Sequence, residues 1–222
     1  MSIDLFGRLR TSEPKTIFDY YSTPESAVSL DNSLWVNIKS GNGNISYNSA
    51  NYVDLSVLSD GDYALRYTKQ PMEYQPGKTR LTYMTGVLLS NPLGSNVITA
   101  RAGLFNVNSA DNMTVTDGVY YQTDGINLQW GETTQLGTTI VNQSDWNIDK
   151  FDGNGSSGKT LTIDDAGRNF LIVFSGEWLG VGVIRTGFYI DAILYYAHQF
   201  SHNLMSVQYT STPRQRICHQ II

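Results

Sequence analysis

Short runs of β-branched and aromatic residues recur along this chain, each stopped by Gly, Pro, Asn or Asp, and this punctuation most constrains what it can fold into. Tyr52-Val53-Asp54-Leu55-Ser56-Val57-Leu58 alternates apolar with polar and stops at Asp60-Gly61. Tyr63 to Lys69 alternates again and stops before Pro71. Alternation of this kind puts one face of a strand toward a core and the other toward solvent. Gln75-Pro76-Gly77-Lys78 reads as a turn, since Pro presets the first central position and Gly tolerates positive φ at the second. Asp124-Gly125, between Gly118–Thr123 and Ile126–Trp130, signals a hairpin closed by a type I′ turn. Further strands are predicted at Leu34–Ile38, Ile45–Tyr47, Leu81–Leu89, Val97–Phe105, Leu136–Val141, Asn169–Glu177, Val183–Asp191, Ile193–Phe200 and the tail Thr212–Ile221. Ser144 is placed to cap a short helix over Ser144–Asp149.

Strands at regular spacing with no βαβ alternation predict an all-β antiparallel sandwich, with a single jelly roll as the leading architecture. No repeat of 20–50 residues is present. Residues 1–26 mix turns, basic residues and prolines and read as an extended N-terminal arm, leaving 27–222 as one domain. At 222 residues the chain suits one such domain and is long enough to bury a core without disulfides or metals.

Composition narrows the function classes. Charged residues make up only 16%, aromatics 12%, with 14 Tyr, and the net charge is −5. A net acidic chain does not supply the basic surface that displaces phosphate counterions, so no nucleic-acid partner is expected. Low charge with abundant aromatics is the composition of surfaces that pack against other subunits. No apolar run is long enough to span a membrane as a helix, and Met1–Leu5 does not resemble the start of a signal peptide. The single cysteine, Cys218, rules out an intrachain disulfide.

Three stretches resemble a family of virion proteins from tailed phages and large double-stranded DNA viruses: Phe6-Gly7-Arg8-Leu9-Arg10-Thr11-Ser12-Glu13-Pro14, continuing to Asp19; Tyr74–Lys78; and Trp146–Gly155 followed by Glu177–Phe188. The resemblance runs from end to end, in order. It implies a structural component of a virus particle rather than an enzyme. The implied placement is an icosahedral vertex (penton) or minor capsid position, in contact with copies of itself as a pentamer and with other capsid proteins. Made in the host cytoplasm, such a protein ends up in the virion. Members of this family often continue beyond the tail strand. The main alternative is a phage tail-fibre or adaptor protein that grips host glycan; a glycan-active enzyme is the third class.

Each constellation that suggests chemistry has a plainer reading beside it. Gly180-Val181-Gly182 lacks the third glycine and the βαβ setting of a dinucleotide site. Asp149, Asp152 and Asn154 share a Gly/Ser-rich loop but not the spacing of a calcium loop. His198 and His202, four apart, would converge on a helix, but the segment reads as a strand. Cys218 and His219 are neighbours on a strand and face opposite ways. Glu177 with Asp191 would serve a glycosidase only if a cleft brought both together. Trp35, Trp130, Trp146 and Trp178 are core anchors, or sugar platforms where exposed. No catalytic, cofactor or metal residue is therefore nominated, and the chain is expected to be no enzyme. The nominated residues are subunit contacts: Phe6 and Leu9 as apolar anchors of the arm, and the i, i+2 pairs Arg8/Arg10 and Arg214/Arg216 as partners for acidic groups on a neighbour.

Overall fold

The computed structural model describes residues 15–21, 30–48, 52–75, 78–88, 98–176, 182–202 and 208–222. Among these, thirteen strands form: β1 (Trp35–Ser40), β2 (Asn44–Asn48), β3 (Tyr52–Ser56), β4 (Tyr63–Thr68), β5 (Arg80–Gly86), β6 (Ala100–Val107), β7 (Val115–Thr123), β8 (Leu128–Thr134), β9 (Gly137–Asn142), β10 (Phe170–Gly176), β11 (Val183–Ile190), β12 (Ile193–Ser201) and β13 (Arg216–Ile221). They build an antiparallel seven-stranded sheet, ordered β1-β4-β13-β6-β7-β8-β9, a four-stranded sheet, β12-β11-β10-β5, and the hairpin β2–β3. The chain crosses between sheets at β4→β5→β6, β9→β10 and β12→β13, and its last strand inserts between β4 and β6. This is the all-β sandwich that the punctuation predicts.

The core lies between the two sheets. Ala102, Leu104, Val119, Tyr121, Leu128 and Trp130 from the large sheet meet Met84, Ile172, Phe174, Ile184, Phe188 and Phe200 from the small one. Trp130 is central: Phe188 and Phe174 pack on its ring at centroid distances of 5.4 and 5.7 Å, and Trp146 at 6.0 Å. The small sheet covers only part of the large one. Hairpin β2–β3 covers another part, where Ile45, Val53, Leu55 and Val57 pack on Ala64, Ile98 and Ile221.

Local details depart from expectation, beyond strand ends such as β13 beginning at Arg216 rather than Thr212. The β7–β8 loop has four residues, not two. The Asp124 carboxylate accepts from the backbone N–H groups of Ile126 and Asn127, and this Asx turn widens the hairpin around Gly125. The helix expected over Ser144–Asp149 is one 3₁₀ turn, Gln143–Asp145, preceded by Asn142 rather than capped by Ser144. A second 3₁₀ turn, Ile163–Gly167, carries a Thr162/Asp165 capping box.

A side-chain ladder crosses the outer face of the large sheet. Arg101 donates to Gln220 Oε1 (2.9 Å) and to Gln122 Oε1 (2.8 Å). Gln122 donates to Gln129 (2.6 Å), and Gln129 donates to Asn142 Oδ1 (2.9 Å). Five strands, from β13 to β9, are tied by these contacts, which satisfy the buried amides of Gln122, Gln129 and Gln220.

Candidate functional site

The segment that leads into the domain has a built seat. Residues 15–21 lie across the β1–β4 end of the large sheet, where Phe18 and Tyr20 pack edge-on against Trp35 at 6.2 and 5.1 Å. The Arg66 guanidinium sits 4.5 Å from the Trp35 ring and donates to Leu30 O, Asn37 Oδ1 and Tyr20 Oη. Tyr20 in turn donates to Asp31. Next to Trp35 lies His219, whose pKa burial, seconded by the Arg66 charge, pushes down to about 4. A cation and an aromatic ring therefore clamp the arm's end to its own domain. Among the described residues Phe18 carries the anchoring role; Ile17 is exposed. Phe6, Arg8, Leu9 and Arg10 lie outside the described residues.

A second cluster ties the sheets together. Glu132 on β8 and His202 after β12 are both buried, with Nε2 and Oε1 2.7 Å apart. His202 Nδ1 lies 2.7 Å from Gly182 O, which can only accept, so Nδ1 carries a proton. The imidazole and the carboxylate therefore share the remaining one. Tyr209 stacks on the ring at 3.9 Å, and burial raises its pKa. Beside it, Arg80 donates to Gln215 Oε1 (2.8 Å), and Asp117 accepts from Ser211 and Thr212, its pKa raised by burial. The cavity among Tyr74, Arg80 and Tyr209 holds about 40 Å³, room for water rather than a sugar ring. Sequence reasoning missed this pair because its members stand 70 residues apart with no local pattern linking them.

The outer face of the small sheet is a third feature. Tyr83, Val173, Gly187 and Tyr196 register in one row across the four strands. Tyr83 is 50% exposed and packs edge-on to Tyr189 at 6.3 Å, and Leu81 and Tyr189 are also exposed; Ile193, exposed at the edge, pairs with Ile190 on the core side. Arg185 donates through Nε to Gln199 Oε1 (2.8 Å) and lies over the Tyr196 ring at 5.8 Å. No carboxylate pairs with it among the described residues.

The residues singled out in the sequence fall as follows. Arg216 lies over the Tyr67 ring and donates to the carbonyls of Thr68 and Lys69; Arg214 precedes β13 and is exposed. Strand β13 begins only at Arg216, and Arg214 lies two residues before it. Cys218 is buried beside Phe105 and Tyr120 and donates to Phe105 O, on the face opposite His219; burial raises its pKa well above the usual thiol range. His198 lies on β12 and accepts from Asn147 N, so it does not converge with His202. Asp149 closes its loop from within, accepting from Phe151 N, Ser157 N and Ser156 Oγ. Although burial works against the charge, those hydrogen bonds hold its pKa below the usual value. Among the described residues, no His/Cys/Asp/Glu group is arranged to hold a metal. Asp191 pairs with Lys159 at 2.7 Å in the open, and Glu177, Trp178 and Gly180 lie outside the described residues. Trp35, Trp130 and Trp146 are all buried, so none of them offers a sugar platform. No helix among the described residues is long and apolar enough to cross a membrane.

No family model matches the sequence, and no curated protein matches it. Among solved structures, the crystal structure of endo-β-1,4-glucuronan lyase from the fungus Trichoderma reesei is similar over 86% of this chain and 79% of that chain, at 11% identity and a TM-score of 0.34. That neighbour is an enzyme, so the expectation that this chain is no enzyme is withdrawn; a likeness this distant assigns no activity in its place.

Proposed function

We propose that the protein is a structural subunit of a virus particle and works by self-association, with a five-fold vertex or minor capsid position as its specific place. The observation that carries this reading is the surface left bare by the fold. Leu81, Tyr83, Val87, Tyr189 and Ile193 are exposed on or beside the small sheet, and apolar and aromatic side chains of this kind form the buried centres of subunit interfaces. The three virion-like sequence stretches support the same reading, and the seat for residues 15–21 gives an N-terminal arm a fixed point of departure. A ring of five would use heterologous contacts, one side of each subunit meeting the other side of the next.

A second reading is host-glycan contact. Arg185, with no carboxylate partner among the described residues, beside exposed tyrosines favours an acidic sugar on the same face. The test is native mass and single-particle symmetry of the purified protein. A pentamer supports the vertex, a trimer or hexamer moves the reading to a tail fibre, and a monomer at every concentration overturns self-association.

A further inference from the structure

We infer that β9 is a docking edge for the β9 strand of a second copy, paired antiparallel about a two-fold axis at Ile140. The inference rests on the self-association reading and names one surface that performs it.

The edge itself is the first observation. Among the described strands β9 pairs only with β8, leaving its other side open. Edge strands are ordinarily guarded by Lys, Pro, a bulge or a covering loop. The β9 sequence Gly137-Thr138-Thr139-Ile140-Val141-Asn142 has no charge and no Pro, and its register with β8 runs without a shift. The edge of the small sheet at β12, by contrast, is covered by the loop after β9: the backbone N–H groups of Ile148 and Asp149 both donate to Ala197 O.

Direction is the second. Each strand of the large sheet is antiparallel to its neighbours, so the first and the seventh, β1 and β9, run the same way. Joining β9 of one copy to β1 of the next with the same sheet face outward in both would require parallel pairing, which is less stable per residue. Joining β9 to β9 is antiparallel, and its symmetry is an isologous two-fold.

Register is the third. The two-residue loop Gln135–Leu136 closes on the pair Thr134–Gly137, which takes the hydrogen-bonded position. Counting from there, Thr139 and Val141 turn their backbone groups toward β8, and Thr138, Ile140 and Asn142 turn theirs outward. Of the registers that match outward residue to outward residue, the one centred on Ile140 pairs all three from each copy. It sets Ile140 opposite Ile140 of the second copy and Asn142 opposite its Thr138, for about six backbone hydrogen bonds. The side chains agree. Ile140 is 40% exposed and would pack on its own image. The amide ladder ends at Asn142, whose Oδ1 accepts from Gln129 while its NH₂ meets no acceptor among the described residues; Thr138 of the second copy supplies a hydroxyl there.

The experiment is native mass spectrometry of the full chain with edge variants. The unaltered protein is expected as a dimer or, where the five-fold ring forms as well, a decamer; a pentamer or any other odd assembly keeps self-association and overturns the β9 pairing. Ile140→Pro removes only an outward N–H and is tolerated on an edge, so its mass should halve with unchanged circular dichroism and melting. Ile140→Cys should form an intermolecular disulfide under mild oxidation, since the symmetric pair brings its two Cα atoms to about 5.5 Å; Thr139→Cys should not. Assembly that survives Ile140→Pro, or cross-linking at position 139 in place of 140, overturns the β9 pairing and leaves self-association standing. A monomeric unaltered protein overturns both.

Discussion

His219 should make this fold acid-sensitive in a pH range where its carboxylates are still charged. Its ring is enclosed by Trp35 and Arg66, and burial with the neighbouring guanidinium lowers its pKa from 6.5 to about 4. In the unfolded chain it titrates near 6.5, so as the pH falls the unfolded state takes up a proton that the folded state refuses. Stability is therefore present in full above pH 6.5 and lost toward pH 4. The loss is about 2 kcal/mol at pH 5 and about 3 kcal/mol at pH 4. The charged groups around the ring do not reverse the sign: Arg66 repels the second cation, and Asp31 acts on Arg66 and accepts from Tyr20. Urea unfolding at pH 7.5 and pH 5 should show the loss in the unaltered protein and most of it abolished in His219→Phe, with His219→Gln as a second variant. A smaller slope of the same sign should persist in both, because burial also lowers the pKa of His198. Equal losses in the unaltered and variant proteins, or a His219 NMR titration near 6.5, would refute the reasoning.

Three further outcomes are expected. Glu132→Ala leaves His202 buried against Gly182 O without its carboxylate and should cost about 3–5 kcal/mol in urea unfolding. Asp149→Ala leaves the N–H groups of Phe151 and Ser157 without their acceptor, costing about 2–4 kcal/mol; Gly155→Ala should disturb the same loop, because a Cβ there would stand 2.1 Å from Asp149 Oδ1. Deleting residues 1–14 should leave the melting temperature within a few degrees of the full chain but weaken assembly, read as a lower oligomer fraction by native mass; an unchanged oligomer would defeat the assigned role of the arm.

The strands are legible in the sequence because alternation and turn chemistry are local. Asn169–Glu177, Val183–Asp191 and Ile193–Phe200 each appear as a strand within a residue or two of the expected ends, since each is bounded by a turn or a change of period. The loop after Thr123 departs from the two-residue turn because the Asp124 side chain competes with it, a contest decided by hydrogen bonds to Ile126 and Asn127. The opposite orientations of Cys218 and His219 follow from strand geometry alone and stand in the structure. Arg216 invites a reading as surface charge, but its setting over Tyr67, beside the carbonyls of Thr68 and Lys69, comes from a strand that lies far away in sequence.

Whether a strand lies inside a sheet or at its edge is a property of topology, and sequence carries it only where a guard residue is present. β8 and β9 are both short, uncharged apart from Glu132, and rich in Thr; one is nearly all buried and the other nearly all exposed. The difference arises because the chain after β9 leaves through the 3₁₀ turn at Gln143–Asp145 and crosses to the small sheet, so no further strand is laid beside it. The same crossing explains the Glu132–His202 pair. It returns the end of β12 to a point above β8, where a carboxylate on the inner side of the large sheet would otherwise be buried alone. An unguarded edge and a buried carboxylate–imidazole hydrogen bond are thus two consequences of one connection, and neither is visible until the crossing is drawn.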